Sequence, residues 1–93
     1  MILEIVSPEA KLFSGEVTSV TLPGVDGSFQ ILDNHASIVS ILGKGLVKIA
    51  APSFNFSEEV EAKFTKVNPQ TYTLAIASGT IEMKDNKVIV LAD

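Results

Sequence analysis

Apolar and polar residues alternate with a period of two along most of this chain, in short runs punctuated by Gly, Pro, Asn, Asp or Ser. Successive side chains of a strand point to opposite faces, so such runs bury one face and wet the other. Turn signals recur roughly every eight to twelve residues, the spacing of an antiparallel sandwich or barrel. Ile2 to Val6 predict a β-branched opening strand, and Pro8, with no N–H to give a ladder, marks a corner or an edge. Lys11-Leu12-Phe13 predict a short strand that turns at Ser14-Gly15. From Glu16 to Leu22, Val17, Ser19 and Thr21 share one face, while Thr18, Val20 and Leu22 share the other, the expected core face.

Further along, Gly43-Lys44-Gly45 predicts a tight hairpin between Ser37–Leu42 and Leu46–Ala50. Ala51-Pro52-Ser53 breaks the pattern. Phe54, Phe56, Val60, Ala62 and Phe64 then separate from Glu59, Glu61, Lys63 and Thr65, which predicts strands from Ser53 to Lys66. A helix over 57–67 is the competing reading, because early acids and later lysines suit a helix dipole. The two-residue apolar spacing favours strand. Asn68-Pro69-Gln70, Ser78-Gly79 and Asp85-Asn86 punctuate the remainder. The expected fold is all-β, an antiparallel β-sandwich or flattened barrel of about nine to ten short strands.

Ninety-three residues make one domain. A hydrophobic content of 46% with 19% charged residues fits a folded core rather than a disordered chain. Mean hydropathy is high, at +0.36, yet no apolar run approaches the ~18–20 residues that cross a bilayer. The surplus apolarity is expected in the core and in surface covered by a partner. With no cysteine, thiolate metal sites, disulfides and a Cys nucleophile are excluded. Met1 to Glu9 carry no basic region followed by a long apolar segment, so no secretory signal is read there. Net charge is −4 and every basic residue is lysine, which opposes nucleic acid and anionic membrane surfaces.

The stretch from Leu22 to Leu42, LPGVDGSFQILDNHASIVSIL, concentrates turn signals, apolar runs and the only histidine. Pro23-Gly24 and Asp26-Gly27 require the strand ending at Leu22 to turn back before the one beginning near Ser28. Asp33-Asn34-His35 is a polar knot inside apolar sequence, a place where a partner surface can be displayed. Asp33, His35, Ser37 and Ser40 offer no catalytic constellation, since they follow one another along one local stretch. Glu58, Glu59 and Glu61 lack the looped glycine turn of a calcium site and read as a solvated face or as edge protection.

Three motifs resemble one family. LPG-x-DG-x-F-x-IL-x-NHA over 22–36, ILEIVSPEAKLFSGEVTSVTLPG over 2–24 and SGTIEMKDNKVIVLAD over 78–93 resemble the N-terminal β-sandwich of the epsilon subunit of F-type ATP synthases. Departures are Gln30 for a usual Gly, Asp33 and Ser37 for usual Pro, and Ser78 for the first of two glycines. Residues 51–71 look longer than the family's middle hairpin. The resemblance implies a single domain over 1–93 without the C-terminal helical hairpin that restrains ATP hydrolysis and, in some members, binds ATP. It implies a non-catalytic rotor subunit of the central stalk, not an enzyme by itself, with no cofactor, metal or small-molecule substrate. Its partners would be the gamma subunit and the c ring, without nucleic acid or direct membrane insertion, at the cytoplasmic face of the bacterial inner membrane. By position, Asp26, Gly27, Ser28 and Phe29 would meet the c ring, with Asp26 supplying the acid often found where Ser28 stands. Ser7, His35, Ala36, Ile38 and Ser40 would face gamma. The alternative is a free-standing sandwich that binds a small ligand or carbohydrate, which would need an aromatic platform from a chain with one Tyr and no Trp.

Overall fold

Ten strands form in a computed structural model that describes all residues, 1–93: β1 (Ile2–Val6), β2 (Lys11–Glu16), β3 (Ser19–Gly24), β4 (Gly27–Leu32), β5 (Ile38–Leu42), β6 (Gly45–Ala50), β7 (Phe64–Asn68), β8 (Thr71–Ile76), β9 (Gly79–Lys84) and β10 (Lys87–Ala92). One helical turn, α1 (Glu58–Glu61), lies between β6 and β7. The strands make one curled sheet in the order β2-β1-β10-β9-β5-β3-β6-β8-β7, with β4 on β3. Its two halves, β2-β1-β10-β9-β5 and β4-β3-β6-β8-β7, join where Gly24 of β3 pairs with Leu42 of β5.

Alternation along the strands sends one set of side chains between the halves. Leu3, Ile5, Ile81, Met83, Val88 and Val90 come from the first half. Val20, Leu22, Ile31, Val47, Ile49 and Leu74 come from the second, and all belong to a single cluster of 22 buried apolar residues. Each such side chain is worth about 1.5–3 kcal/mol when fully buried. No polar or charged side chain is buried among them, so the core carries no desolvation penalty to offset.

The structure corrects the expected antiparallel pattern at one place: β1 and β10 run parallel, in register from Ile2 with Lys87 to Val6 with Leu91. A parallel pair needs a long connection, and the first and last strands have the whole chain between them. Ser14-Gly15 is not a turn, because β2 continues through it with Gly15 opposite Leu3. The break falls at Val17-Thr18, which shifts the alternation by one residue. Val17 is therefore buried, its N–H bound to the Met1 carbonyl at 2.9 Å, and Thr18 is exposed.

Gly43-Lys44-Gly45 does not form the expected hairpin either. β5 pairs with β9, whereas β6 pairs with β3 and β8. The segment carries the chain from one half to the other across Pro23. Gly43 N–H donates to the Pro23 carbonyl at 2.8 Å, and a Cβ on Gly45 would lie 2.7 Å from the Pro23 ring. Here glycine marks a close crossing rather than a reversal.

The strands expected from Ser53 to Lys66 are replaced by an irregular strap, α1, and then β7. Ser57 caps α1 by accepting the Val60 N–H on its hydroxyl, and the three acids sit in the first turn, where the dipole favours them. The strap closes the seam between the sheet's terminal strands, β2 and β7. Phe54 and Phe56 stack 5.5 Å apart, each 5.9 Å from Phe13 of β2. Phe54 lies 4.5 Å from Tyr72 of β8, and Phe56 lies 4.6 Å from Phe64 of β7. Two-residue spacing thus served ring insertion and not strand pairing.

Candidate partner-binding faces

The two outer faces of the sandwich differ in chemistry. On the first half, cross-strand partners share a face, so register lays out rows. One row is Val39, Glu82, Ile89, Glu4 and Ser14; the next is Ile41, Thr80, Leu91, Val6 and Lys11. Val39 is 78% exposed, Ile41 63% and Leu91 52%. Ile89 and Val6 are half-buried beside them. On the second half the rows read Gln30, Thr21, Lys48, Thr73 and Thr65, then Leu32, Ser19, Ala50 and Thr71. Hydroxyls dominate there, with Leu32, Leu46 and Val67 as exposed apolar points.

Glu4 in the apolar face is held by Lys87 at 2.8 Å and Lys11 at 3.4 Å. The Lys87 hydrogen bond, followed by its charge and then Lys11, holds the Glu4 carboxyl below the usual carboxylate range. Ile38 and Ser40 alternate with Val39 and Ile41 and point the other way. Ile38 is half-buried against the core, and Ser40 is half-buried opposite Ile81. Ser7 is half-buried in the β1–β2 corner, where its hydroxyl bonds the Ala10 carbonyl at 3.2 Å.

His35 and Ala36 are exposed in the loop before β5. The His35 N–H donates to the Leu32 carbonyl, and its Nδ1 lies 2.8 Å from the Ala36 carbonyl. Asn34 adopts φ +61, a left-handed conformation that Asn tolerates. Its N–H donates to Asn86 Oδ1 at 2.7 Å, which clasps the loop to the β9–β10 turn. The Asp33 carboxylate accepts from the Met1 amine at 2.8 Å and from the Asn86 amide at 3.0 Å, and these bonds hold its pKa low. Asp33 therefore serves the loop's shape, with no bond to His35.

The β3–β4 hairpin turns at Val25-Asp26, and Gly27 takes φ +125. Gly24 is required by close approach: a Cβ there would lie 2.7 Å from the Gly27 carbonyl and 2.9 Å from the Phe29 ring. Asp26, Gly27 and Ser28 are exposed, while Phe29 folds back on the core. The Val25 N–H meets the Ile41 carbonyl at 3.4 Å, so this tip adjoins the apolar face of the first half. Eight of the nine residues expected to meet partners accordingly fall into two regions, the tip and the surroundings of β5, while Ser7 stands apart at the β1–β2 corner. Val39, Ile41, Ile89 and Leu91 were missed as surface residues. Their signal was runs apolar at both alternating sets, IVSIL and VIVL, which a one-sided strand does not need.

An open groove of about 470 Å³ lies at the β1–β2 corner, lined in part by Ser7, Leu12, Lys63, Leu74 and Asp93. Five of the six aromatic side chains, Phe13, Phe54, Phe56, Phe64 and Tyr72, are committed to the seam. No group of three or more His, Cys, Asp or Glu side chains converges in a way that could hold a metal ion. No helix is long and apolar enough to cross a membrane.

Fold and surface together define a β-sandwich with exposed apolar stripes on one outer face, a form suited to docking against another macromolecule. The chain belongs to the family of ATP synthase delta/epsilon chain β-sandwich domains, whose model matches residues 1–93. It is 41% identical over 91 residues to the ATP synthase epsilon chain of Campylobacter fetus and 36% identical to that of Campylobacter curvus. Each match covers 98% of this chain and 59% of the relative, so the chain spans about three-fifths of those proteins. Among solved structures, it is similar to chains of the mitochondrial ATP synthases of Tetrahymena thermophila (central stalk and c-ring) and Euglena gracilis, with TM-scores of 0.70 and 0.74. Those matches cover 99% of this chain and 62% and 49% of the others, at 17% identity, a level that speaks for fold.

Proposed function

We propose that this chain acts as the sandwich domain of an epsilon-type subunit in the rotor of an F-type ATP synthase. It joins the gamma subunit to the c ring without performing chemistry itself. The observation that carries this reading is a pair of outward apolar stripes, Val39 and Ile41 on β5 and Ile89 and Leu91 on β10, which flank Thr80 and Glu82 of β9, on a chain whose every residue falls within the family's match. A permanent interface is more apolar than ordinary surface, and the exposed stripes of β5 and β10 give it anchors between polar side chains. In this reading gamma covers the first half-sheet and the neighbouring loop of His35 and Ala36, with Ser7, Ile38 and Ser40 at its margins. The tip of Asp26, Gly27 and Ser28, backed by Phe29, meets polar loops of the c ring. The complex works at the cytoplasmic face of a bacterial inner membrane, where the domain is peripheral.

The test is calorimetric titration of this chain with the gamma subunit of the same organism at several temperatures. Tight one-to-one binding with a large negative heat-capacity change is expected, because apolar area leaves water. Absence of binding at micromolar concentrations overturns the proposal.

A further inference from the structure

Two acids lie on the same row of the apolar face, and they are treated differently. Glu4 is paired by Lys87 and Lys11. Glu82 is exposed, stands directly between Val39 and Ile89, and makes no ion pair. Lys84, the next outward residue on β9, faces Lys87 across the ladder and makes no ion pair with Glu82. A carboxylate covered by an apolar surface loses its hydration, and that loss is severe unless a cation replaces the water. Beside Glu82 is a depression of about 220 Å³ lined by Ser37, Ile38, Val39, Glu82, Met83 and Lys84, with room for one long side chain.

We propose that Glu82 sets the specificity of this face, and that the covering protein seats an arginine or lysine against it within an otherwise apolar strip. The proposal rests on the docking role given above and adds the chemistry of the partner. A partner bearing only apolar groups at this point would strand the carboxylate, so Glu82 selects against it. Arginine suits the site best, since its planar fork can bind both carboxylate oxygens while its faces lie on Val39 and Ile89.

The experiment compares Glu82→Gln, Glu82→Lys, Val39→Asp and, on the opposite face, Lys48→Gln, in binding to the gamma subunit at low and moderate salt. All these positions except Val39 are exposed polar sites, and a melting curve for each variant checks folding. Glu82→Gln is expected to bind about tenfold more weakly and Glu82→Lys about a hundredfold or more, while Lys48→Gln stays near the parent. Glu82→Gln should also flatten the dependence of affinity on salt. Parent-like affinity and salt dependence for Glu82→Gln, alongside loss of binding by Val39→Asp, overturns the role of Glu82 and leaves the docking face standing. Failure of the parent chain to bind overturns the docking role and this proposal with it.

Discussion

The two outer faces of this sandwich are built from the same strand geometry, yet one exposes apolar stripes among charges and the other is a field of threonines. On the first half-sheet, Val39, Ile41 and Leu91 stay more than half exposed. On the second, Thr21, Thr73 and Thr65 occupy the equivalent outward row with Lys48. Threonine keeps the β-branched shape that a pleated surface favours and gives water a hydroxyl to bind. The second face is thus finished for solvent. The first leaves apolar side chains open to water, which the proposed docking to gamma would cover.

The comparison breaks most visibly if a charge is placed on each face in turn. Val39→Asp or Ile41→Asp should weaken binding to the gamma subunit by about a hundredfold, because interface anchors commonly carry 2 kcal/mol or more. Thr73→Asp should leave affinity unchanged in the same titration. Equal losses on both faces would erase the distinction.

Next in size is the join between the halves. Gly24→Ala would press a methyl group against the Gly27 carbonyl and the Phe29 ring, and overpacking of this kind costs about 1–3 kcal/mol. Urea unfolding should show that loss, together with a displaced hairpin tip. Asp26→Lys reverses an exposed charge at that tip and should weaken attachment to the c ring several-fold in a pull-down at low salt, with the affinity for gamma unaffected.

The smallest expected effect concerns pH. The folded-state pKa of Glu4 is depressed by Lys87 and Lys11, so its contribution to stability is present above 4.5 and fades as pH falls through the lower folded value. Glu4→Gln should therefore flatten the dependence of the urea midpoint on pH below 4.5. An unchanged slope would mean that the pair is not kept in solution.

Much of the fold was legible because alternation and turn chemistry are local. Pro8, Asp26-Gly27, Asn68-Pro69 and Asp85-Asn86 all lie where the chain turns. What escaped was long-range. Gly43-Lys44-Gly45 looks the same locally whether it reverses a strand or passes over Pro23, and only the distant partner decides. Phe54 and Phe56 have strand spacing, but their rings pack on Phe13 and Tyr72 while their backbone joins no ladder. The expected contact residues came from the family resemblance; the residues themselves offered only the Asp33-Asn34-His35 knot, visible as polar sequence inside apolar runs. The apolar face was harder to see, since an outward Val39 and an inward Ile38 differ only in phase.

The most direct test of the central claim is a map of backbone amide signals for the isotopically labelled chain with and without the gamma subunit. The account predicts changes and exchange protection concentrated on β5, β9 and β10 and on the loop of His35, with β6, β7 and β8 undisturbed. Changes centred on the threonine face of β6 and β8 would contradict it.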